Sequence, residues 1–330
     1  MVIIIGAGPI GLACAIELKK RNIDSVVIEK GCLVNSIFNY PTNMTFFSTS
    51  DKIEIGGIPF ISHGPKPTRR EALEYYRRVY EHYQLDVRVY EAVQKIDRSG
   101  KEFTVTTTKA VYEADKLILA TGFFDIPHKM NVPGESLPKV RHYFDEPHPY
   151  AGLSVLVVGA GNSAVDVALE CFRCGCDVTM VIRDAEIRKS VKYWVRPDIE
   201  NRIREGSIHA HFNSRVVEIK DDEVVLATPG GELTLKNDFV FAMTGYEPNY
   251  KLLEMAGVRF DDDEFRTPVF DQNTQLSNVD DIYLAGVVCG GLHTGKWFIE
   301  NSIAHASRIA DHITGADKPA NAGPRKIKMG

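Results

Sequence analysis

The feature that most constrains this chain is a glycine-rich turn that occurs twice. The apolar run Val2-Ile3-Ile4-Ile5 leads into Gly6-Ala7-Gly8-Pro9-Ile10-Gly11, and Val155-Leu156-Val157-Val158 leads into Gly159-Ala160-Gly161-Asn162-Ser163-Ala164. A β-branched strand, a tight glycine turn and a helix form the opening of a βαβ unit. There the backbone can approach a pyrophosphate, and the helix N-terminus faces its charge. One such turn is a weak signal, because glycine turns are common. Two in one chain imply two dinucleotides held by one protein, an arrangement suited to moving electrons between them.

In the first unit a helix is expected from about Gly11 to Arg21, with Asn22 ending it, followed by a strand Ser25-Val26-Val27-Ile28. Glu29 closes that strand, where a carboxylate can bond an adenosine ribose. Gly6 permits the tight turn, Gly8 the close backbone approach and Gly11 the packing of helix on strand. In the second unit a helix from about Asn162 to Cys174, with Gly175 as its C-cap, precedes the strand Val178-Thr179-Met180-Val181-Ile182. That strand ends in Arg183, not in a carboxylate, and Arg188 and Lys189 follow. A basic cluster in this position gives charge-assisted hydrogen bonds to a 2′-phosphate, which favours NADPH over NADH; a solvated basic loop is the alternative.

Two further strands end in small residues. Lys116-Leu117-Ile118-Leu119 runs into Ala120-Thr121-Gly122, and Phe239-Val240-Phe241 runs into Ala242-Met243-Thr244-Gly245. This echo predicts an α/β fold of two Rossmann-like dinucleotide-binding domains, one inserted in the other: residues 1–123 and 248–330 form the first, residues 124–247 the second. Short strands are expected at 87–90, 103–106, 224–226 and 281–286, a helix at 69–83 and a final helix at about 295–312. The turn-rich segment Asn39 to Pro67 is either a functional loop or a surface excursion. The end of the chain, from about Ala316, reads as a loose tail.

Composition narrows the remaining classes. A net charge of -5 carries no basic footprint for nucleic acid, and no apolar run reaches membrane-spanning length. The N-terminus lacks the basic flank of a secretory signal, so a cytoplasmic protein is expected. Six cysteines without disulfide-framework spacing fit a reducing compartment. Cys171-Phe172-Arg173-Cys174, with Cys176 beyond, reads as a structural helix end; no metal site is expected.

With these landmarks the chain resembles the two-dinucleotide-binding-domain flavoproteins, in particular the thioredoxin reductase branch. Within it the chain resembles the bacillithiol-disulfide reductase family through Gly6-Ala7-Gly8-Pro9-Ile10-Gly11-Leu12-Ala13-Cys14, Asn39-Tyr40-Pro41 and Gly286-Val287-Val288-Cys289-Gly290-Gly291-Leu292-His293-Thr294-Gly295-Lys296. The resemblance implies FAD in the first domain and NADPH in the inserted one. It adds Lys30, Asn39, Tyr40, Met44, Phe46, Val93, Gly286, His293, Thr294 and Lys296 to the expected cofactor contacts. Tyr40, Met44, Phe46 and Phe47 are candidates to wall the isoalloxazine or to pack in the core. His293 either faces the flavin or is structural. Val287 stands where most relatives have an aspartate that bonds the ribityl chain. Links near Phe123-Phe124 and Gly245-Tyr246 are expected hinges if the inserted domain rotates.

The implied reaction carries hydride equivalents from NADPH through the flavin to a low-molecular-weight disulfide. No C-x-x-C precedes the inserted turn between Arg141 and Tyr150, which argues against direct thioredoxin reduction. Cys14 is the leading candidate thiol, since the helix N-terminus could lower its pKa and the resemblance implies a role in thiol-disulfide chemistry; a small buried hydrophobe is the alternative. Cys32 and Cys289 stay open. Expected partners are a small disulfide substrate, with an electron carrier or bacilliredoxin-type protein as a further candidate, and a second copy of the chain. Competing readings are a ferredoxin- or flavodoxin-NADP reductase, a flavin monooxygenase and a non-enzymatic NAD(P)H sensor. Pro138 stands where the monooxygenase linker wants glycine.

Overall fold

The computed structural model describes residues 1–315; the expected tail lies outside them. The chain enters on β1 (Val2–Ile5), turns into α1 (Pro9–Lys20) and returns as β2 (Ser25–Ile28). The single-turn helix α2 (Asn35–Phe38) and an irregular stretch lead to α3 (Arg69–Tyr83) and β3 (Val87–Arg88). An antiparallel meander follows, β4 (Val93–Ser99), β5 (Glu102–Thr107) and β6 (Val111–Ala114), before β7 (Lys116–Leu119). Next come β8 (Ile126–Pro127), β9 (Val140–Arg141), β10 (Ser154–Val158), α4 (Asn162–Arg173), β11 (Asp177–Val181), α5 (Arg196–Arg204) and β12 (His209–His211). A second meander, β13 (Arg215–Ile219), β14 (Glu223–Thr228) and β15 (Gly231–Lys236), precedes β16 (Phe239–Ala242). The chain ends through β17 (Tyr246–Glu247), α6 (Tyr250–Met255), β18 (Ile282–Leu284) and α7 (Ile299–Thr314).

Two parallel five-stranded sheets result, in the orders β18-β7-β1-β2-β3 and β12-β11-β10-β16-β9. Four strands correspond in the two sheets: β1 and β10 lie at the centre, each between the strand after its crossover helix (β2, β11) and the strand after its meander (β7, β16), while the fifth strand is β18 in one and β9 in the other. β1 is buried along its whole length, with Ile3 and Ile4 at 0% exposure, as a parallel strand covered on both faces must be. One face of the first sheet packs against α1, α3 and α7 through Leu12, Ile16, Tyr76 and Ile309. Its other face packs against the first meander and α6 through Ile96, Phe103 and Leu253. The second sheet repeats this with α4 and α5 on one face and the second meander on the other.

The expected links form a two-stranded ribbon. β8 and β17 pair antiparallel, Thr244 Oγ1 donates to the His128 carbonyl at 2.6 Å, and His128 N–H donates to the Gly245 carbonyl at 3.0 Å. Phe124 packs against Tyr40, Tyr143 and Tyr246 with ring centroids 4.2–5.5 Å apart. Some boundaries move. The first helix begins at Pro9, whose missing N–H costs nothing in the first turn. The strand expected at 87–90 stops at Arg88, because Tyr90 takes a positive φ of 53°. The final helix begins at Ile299 rather than near Gly295, where Asn301 Oδ1 accepts the Phe298 N–H.

Candidate functional site

Each glycine turn is pressed against a small-residue strand end. A Cβ on Gly6 would lie 2.5 Å from the Ala120 carbonyl oxygen, and one on Gly159 would lie 2.5 Å from the Met243 carbonyl oxygen. Both glycines also have positive φ, 109° and 136°. A Cβ on Gly11 would come within 1.9 Å of the Gly6 carbonyl oxygen. The echo of Ala120-Thr121-Gly122 in Met243-Thr244-Gly245 thus has a steric cause: β7 and β16 deliver backbone where the turn leaves no room for side chains.

The open side of each turn fits a pyrophosphate. A Cβ on Gly8 or Gly161, the N-cap residues of α1 and α4, would meet no atom within 4 Å. Neither helix has a side-chain N-cap or an acidic residue in its first turn. The first N–H groups and the positive dipole end are therefore left for an anion. Thr121 Oγ1 is buried without a hydrogen-bond partner, an orphan that a bound group would satisfy. A Cβ on Gly122 would approach the side chains of Ser36 and Val287 at 3.9 Å, so Ala120–Gly122, α2 and the 286–290 turn lie side by side.

Glu29 does more than wait for a ribose. It is only 7% exposed, with Oε2 accepting the Ala7 N–H and Oε1 the Gly31 N–H, both at 2.8 Å, so its carboxylate braces the first turn. Burial pushes its pKa up, while those two N–H bonds and Lys30 act against the shift. Lys30 itself pairs with Asp125 in the link. Asn39 donates to the Asn35 carbonyl at 2.8 Å, holding α2. Tyr40 stands edge-on to Phe46, with Met44 and Phe46 in the same core. Val93, at the start of β4, packs on the other face of the sheet. Phe47 is 60% exposed and lies against Trp194 instead of packing in the core.

At the end of β18, Gly286 donates its N–H to His305 Nδ1 at 3.1 Å. His305 is fully buried, and burial lowers its pKa to about 4, so the ring is neutral near pH 7 with its proton on Nε2. Sequence reasoning missed this residue, because a histidine in the middle of a helix carries no local signal. His293 is exposed and stacked on Phe265 at 4.6 Å; Thr294 and Lys296 are exposed beside it.

In the second unit Asn162 ties the turn to the following segment. Its Oδ1 accepts the Lys192 N–H at 2.9 Å and its Nδ2 donates to the Ser190 carbonyl at 3.3 Å. Ser163 and Ala164 continue α4. Arg183 and Arg188 both face Asp184, at 3.8 and 3.6 Å, so a phosphate arriving there would compete with one carboxylate. Lys189 is exposed next to them. Arg183 also lines a cavity of about 350 Å³ with Arg215, Ser214 and Thr228. That second guanidinium comes from the far meander and could not be read from the motif.

The expectation of a lowered pKa at Cys14 is corrected. The thiol is 1% exposed within the core of α1, and burial, helped by Glu17, raises its pKa to about 12. Desolvation outweighs the helix dipole because the side chain points into the sheet-facing core and not toward the open turn. Cys289 is likewise fully buried, near Gln275, and pushed up by desolvation; Cys32 is half-buried and shifted the same way. All six cysteines are free thiols, and Cys176 donates to the Tyr150 carbonyl at 3.1 Å. Among the described residues no cluster of histidine, cysteine and carboxylate could hold a metal. No helix among them is long and apolar enough to cross a membrane.

The family model of the pyridine nucleotide-disulphide oxidoreductases matches residues 3–286. The bacilliredoxin reductase Bdr of Bacillus subtilis (strain 168) is 46% identical over 313 residues, 94% of this chain and 96% of its own length. The chain belongs to the Bdr family. Two solved members, the bacillithiol disulfide reductases Bdr of Staphylococcus aureus and Bacillus cereus, superpose with TM-scores of 0.92 and 0.93. They are 42% and 44% identical to it; each comparison covers 96% of this chain and 98% or 99% of the other. This Bdr-family chain is therefore a flavoprotein disulfide reductase of the thioredoxin-reductase-like fold, and its cofactors are FAD and NADPH.

Proposed function

We propose that this reductase oxidises NADPH and reduces bacillithiol disulfide, the substrate named for the relatives from Staphylococcus aureus and Bacillus cereus. The observation that carries the reading is the pair of anion-ready turns, each with an uncapped helix and an open glycine. In balanced form, NADPH, one proton and one disulfide yield NADP⁺ and two thiols. FAD, when bound, supplies the two-electron relay between them.

The chain's residues have distinct tasks in this scheme. Gly6, Gly8, Pro9 and Gly11 make the cradle of the FAD pyrophosphate, braced by Glu29. Lys30, Asn39, Tyr40, Met44, Phe46, Val93, Ala120, Thr121, Gly122, Gly286, His293, Thr294 and Lys296 complete the surroundings of that cofactor. Gly159, Gly161, Asn162, Ser163, Ala164, Thr244 and Gly245 orient NADPH, with Arg183, Arg188 and Lys189 binding its 2′-phosphate. Residues 1–123 and 248–330 would hold the flavin, and 124–247 the nicotinamide nucleotide. Cys14 and Cys289 are buried and keep their protons, so in this proposal electrons reach the disulfide without a standing thiolate at either position.

The Bacillus subtilis relative is a bacilliredoxin reductase, which favours a second acceptor, a bacilliredoxin-type protein disulfide. A homo-oligomer acting in the reducing cytoplasm completes the reading; light scattering tests the first point. The deciding experiment is anaerobic bleaching of the flavin by NADPH, followed by reoxidation with bacillithiol disulfide, a bacilliredoxin mixed disulfide, thioredoxin or ferredoxin. Fast reoxidation by bacillithiol disulfide is expected. Reoxidation by ferredoxin alone would overturn the assignment.

A further inference from the structure

Three side chains far apart in sequence meet where the lobes built on the two sheets face each other. Lys66 places Nζ 3.8 Å from the centroid of the Trp194 indole and 5.1 Å from that of the Phe47 ring. The two rings lie 5.2 Å apart at a tilt of 35°. Phe47 and Trp194 are 60% and 40% exposed, so this is no extension of either core. An ammonium seated over an indole and flanked by a second ring is a directional contact, strongest over tryptophan, and it can be made and broken without opening a core.

Both partners are wired to a cofactor-side element. Trp194 ends the segment that Asn162 and the Arg188 N–H bond to the Ala160 carbonyl (3.2 Å) tie to the second glycine turn. Lys192 in the same segment pairs with Asp166 of α4 at 2.8 Å. Phe47 and Lys66 belong to the irregular stretch after α2. That stretch is pinned to the first turn of α7 by Ser48 and Lys52, which reach Glu300 at 2.8 and 2.9 Å. Beside the clasp, the Thr42 N–H donates to the Asp145 carbonyl at 2.7 Å and Asn43 reaches Glu170 at 3.5 Å.

We infer that Lys66 and Trp194 are positioning residues for the reductase: their contact holds the NADPH-binding segment against the flavin-side lobe in the arrangement that lets hydride pass. The inference rests on the assignment of NADPH to the second glycine turn. It gives the stretch 39–67 a task, as a strap from α7 to the nucleotide segment. Neither residue touches the reacting atoms, so binding of each cofactor should be indifferent to the clasp.

The test uses the FAD-loaded enzyme and the variants Lys66→Met, Trp194→Leu and Lys66→Arg. The limiting rate of flavin bleaching at saturating NADPH is measured by anaerobic stopped flow, and amide deuterium exchange is followed at Thr42. Losing an exposed cation–π contact should lower the rate about 2- to 5-fold in the first two variants. The affinities for FAD and NADPH stay as in the wild type, exchange at Thr42 accelerates, and Lys66→Arg, which keeps the cation, behaves as the wild type. An unchanged or raised rate, or a rate that falls only together with NADPH affinity, would overturn the inference. If NADPH fails to bleach even the wild-type flavin, the nucleotide assignment is at fault, and exchange at Thr42 still decides whether the clasp joins the lobes.

Discussion

His305 ties the stability of the flavin-side lobe to pH. Its Nδ1 accepts the Gly286 N–H in a fully buried site, and its pKa is lowered from 6.5 to about 4 by desolvation. The unfolded chain binds a proton through pH 6.5 that the folded chain refuses until about pH 4. The contribution is therefore complete above pH 6.5 and is lost as the pH falls toward 4. Integrating over that window, the penalty relative to pH 7 is about 2 kcal/mol at pH 5 and about 3 kcal/mol at pH 4. The variant His305→Gln keeps an acceptor for Gly286 and does not titrate. Urea unfolding followed by far-UV circular dichroism at pH 7, 6, 5 and 4 should show a loss in the wild type that exceeds that of the variant by these amounts. Because the same bond shapes the Gly286–Gly290 turn beside Ala120–Gly122, fluorescent FAD should be released at a higher pH from the wild type than from the variant. Parallel pH profiles for the two proteins would refute the reasoning.

Other expectations follow from the same geometry. Gly6→Ala pushes a Cβ against the Ala120 carbonyl at positive φ and should cost about 3 kcal/mol, with FAD lost on purification; stable, yellow protein would contradict the close approach. Arg183→Ala should raise KM for NADPH about 10- to 100-fold, the range for a lost charge-assisted bond, and leave KM for NADH alone. Steady-state kinetics with both nucleotides checks it, and equal shifts would remove Arg183 from the phosphate site. Cys14→Ala should lower stability by about 1 kcal/mol and leave disulfide turnover intact. A hundredfold fall in kcat would restore the thiol to the mechanism.

The two-unit plan was legible in the chain because its determinants are local. A strand of β-branched residues, a glycine spacing and a small-residue strand end each act within a few residues, and each occurs twice. Glu29 and Arg183, the contrasting ends of β2 and of the strand after α4, were readable for the same reason. The two meanders and the β8–β17 ribbon were seen only in part. Strands such as Ile126–Pro127 are too short to show a period, and their pairing partners lie more than a hundred residues away.

By itself the sequence determined that two dinucleotide units share one chain and that the second ends its strand in an arginine where the first has a carboxylate. Tertiary structure alone decided the rest. Cys14 turns into a dry core and keeps its proton, Glu29 spends both oxygens on the backbone, His305 stands beneath Gly286, and Lys66 finds Trp194 across the lobes. The physical reason is that spacing specifies backbone shape, whereas protonation, desolvation and contact depend on neighbours that only folding brings near.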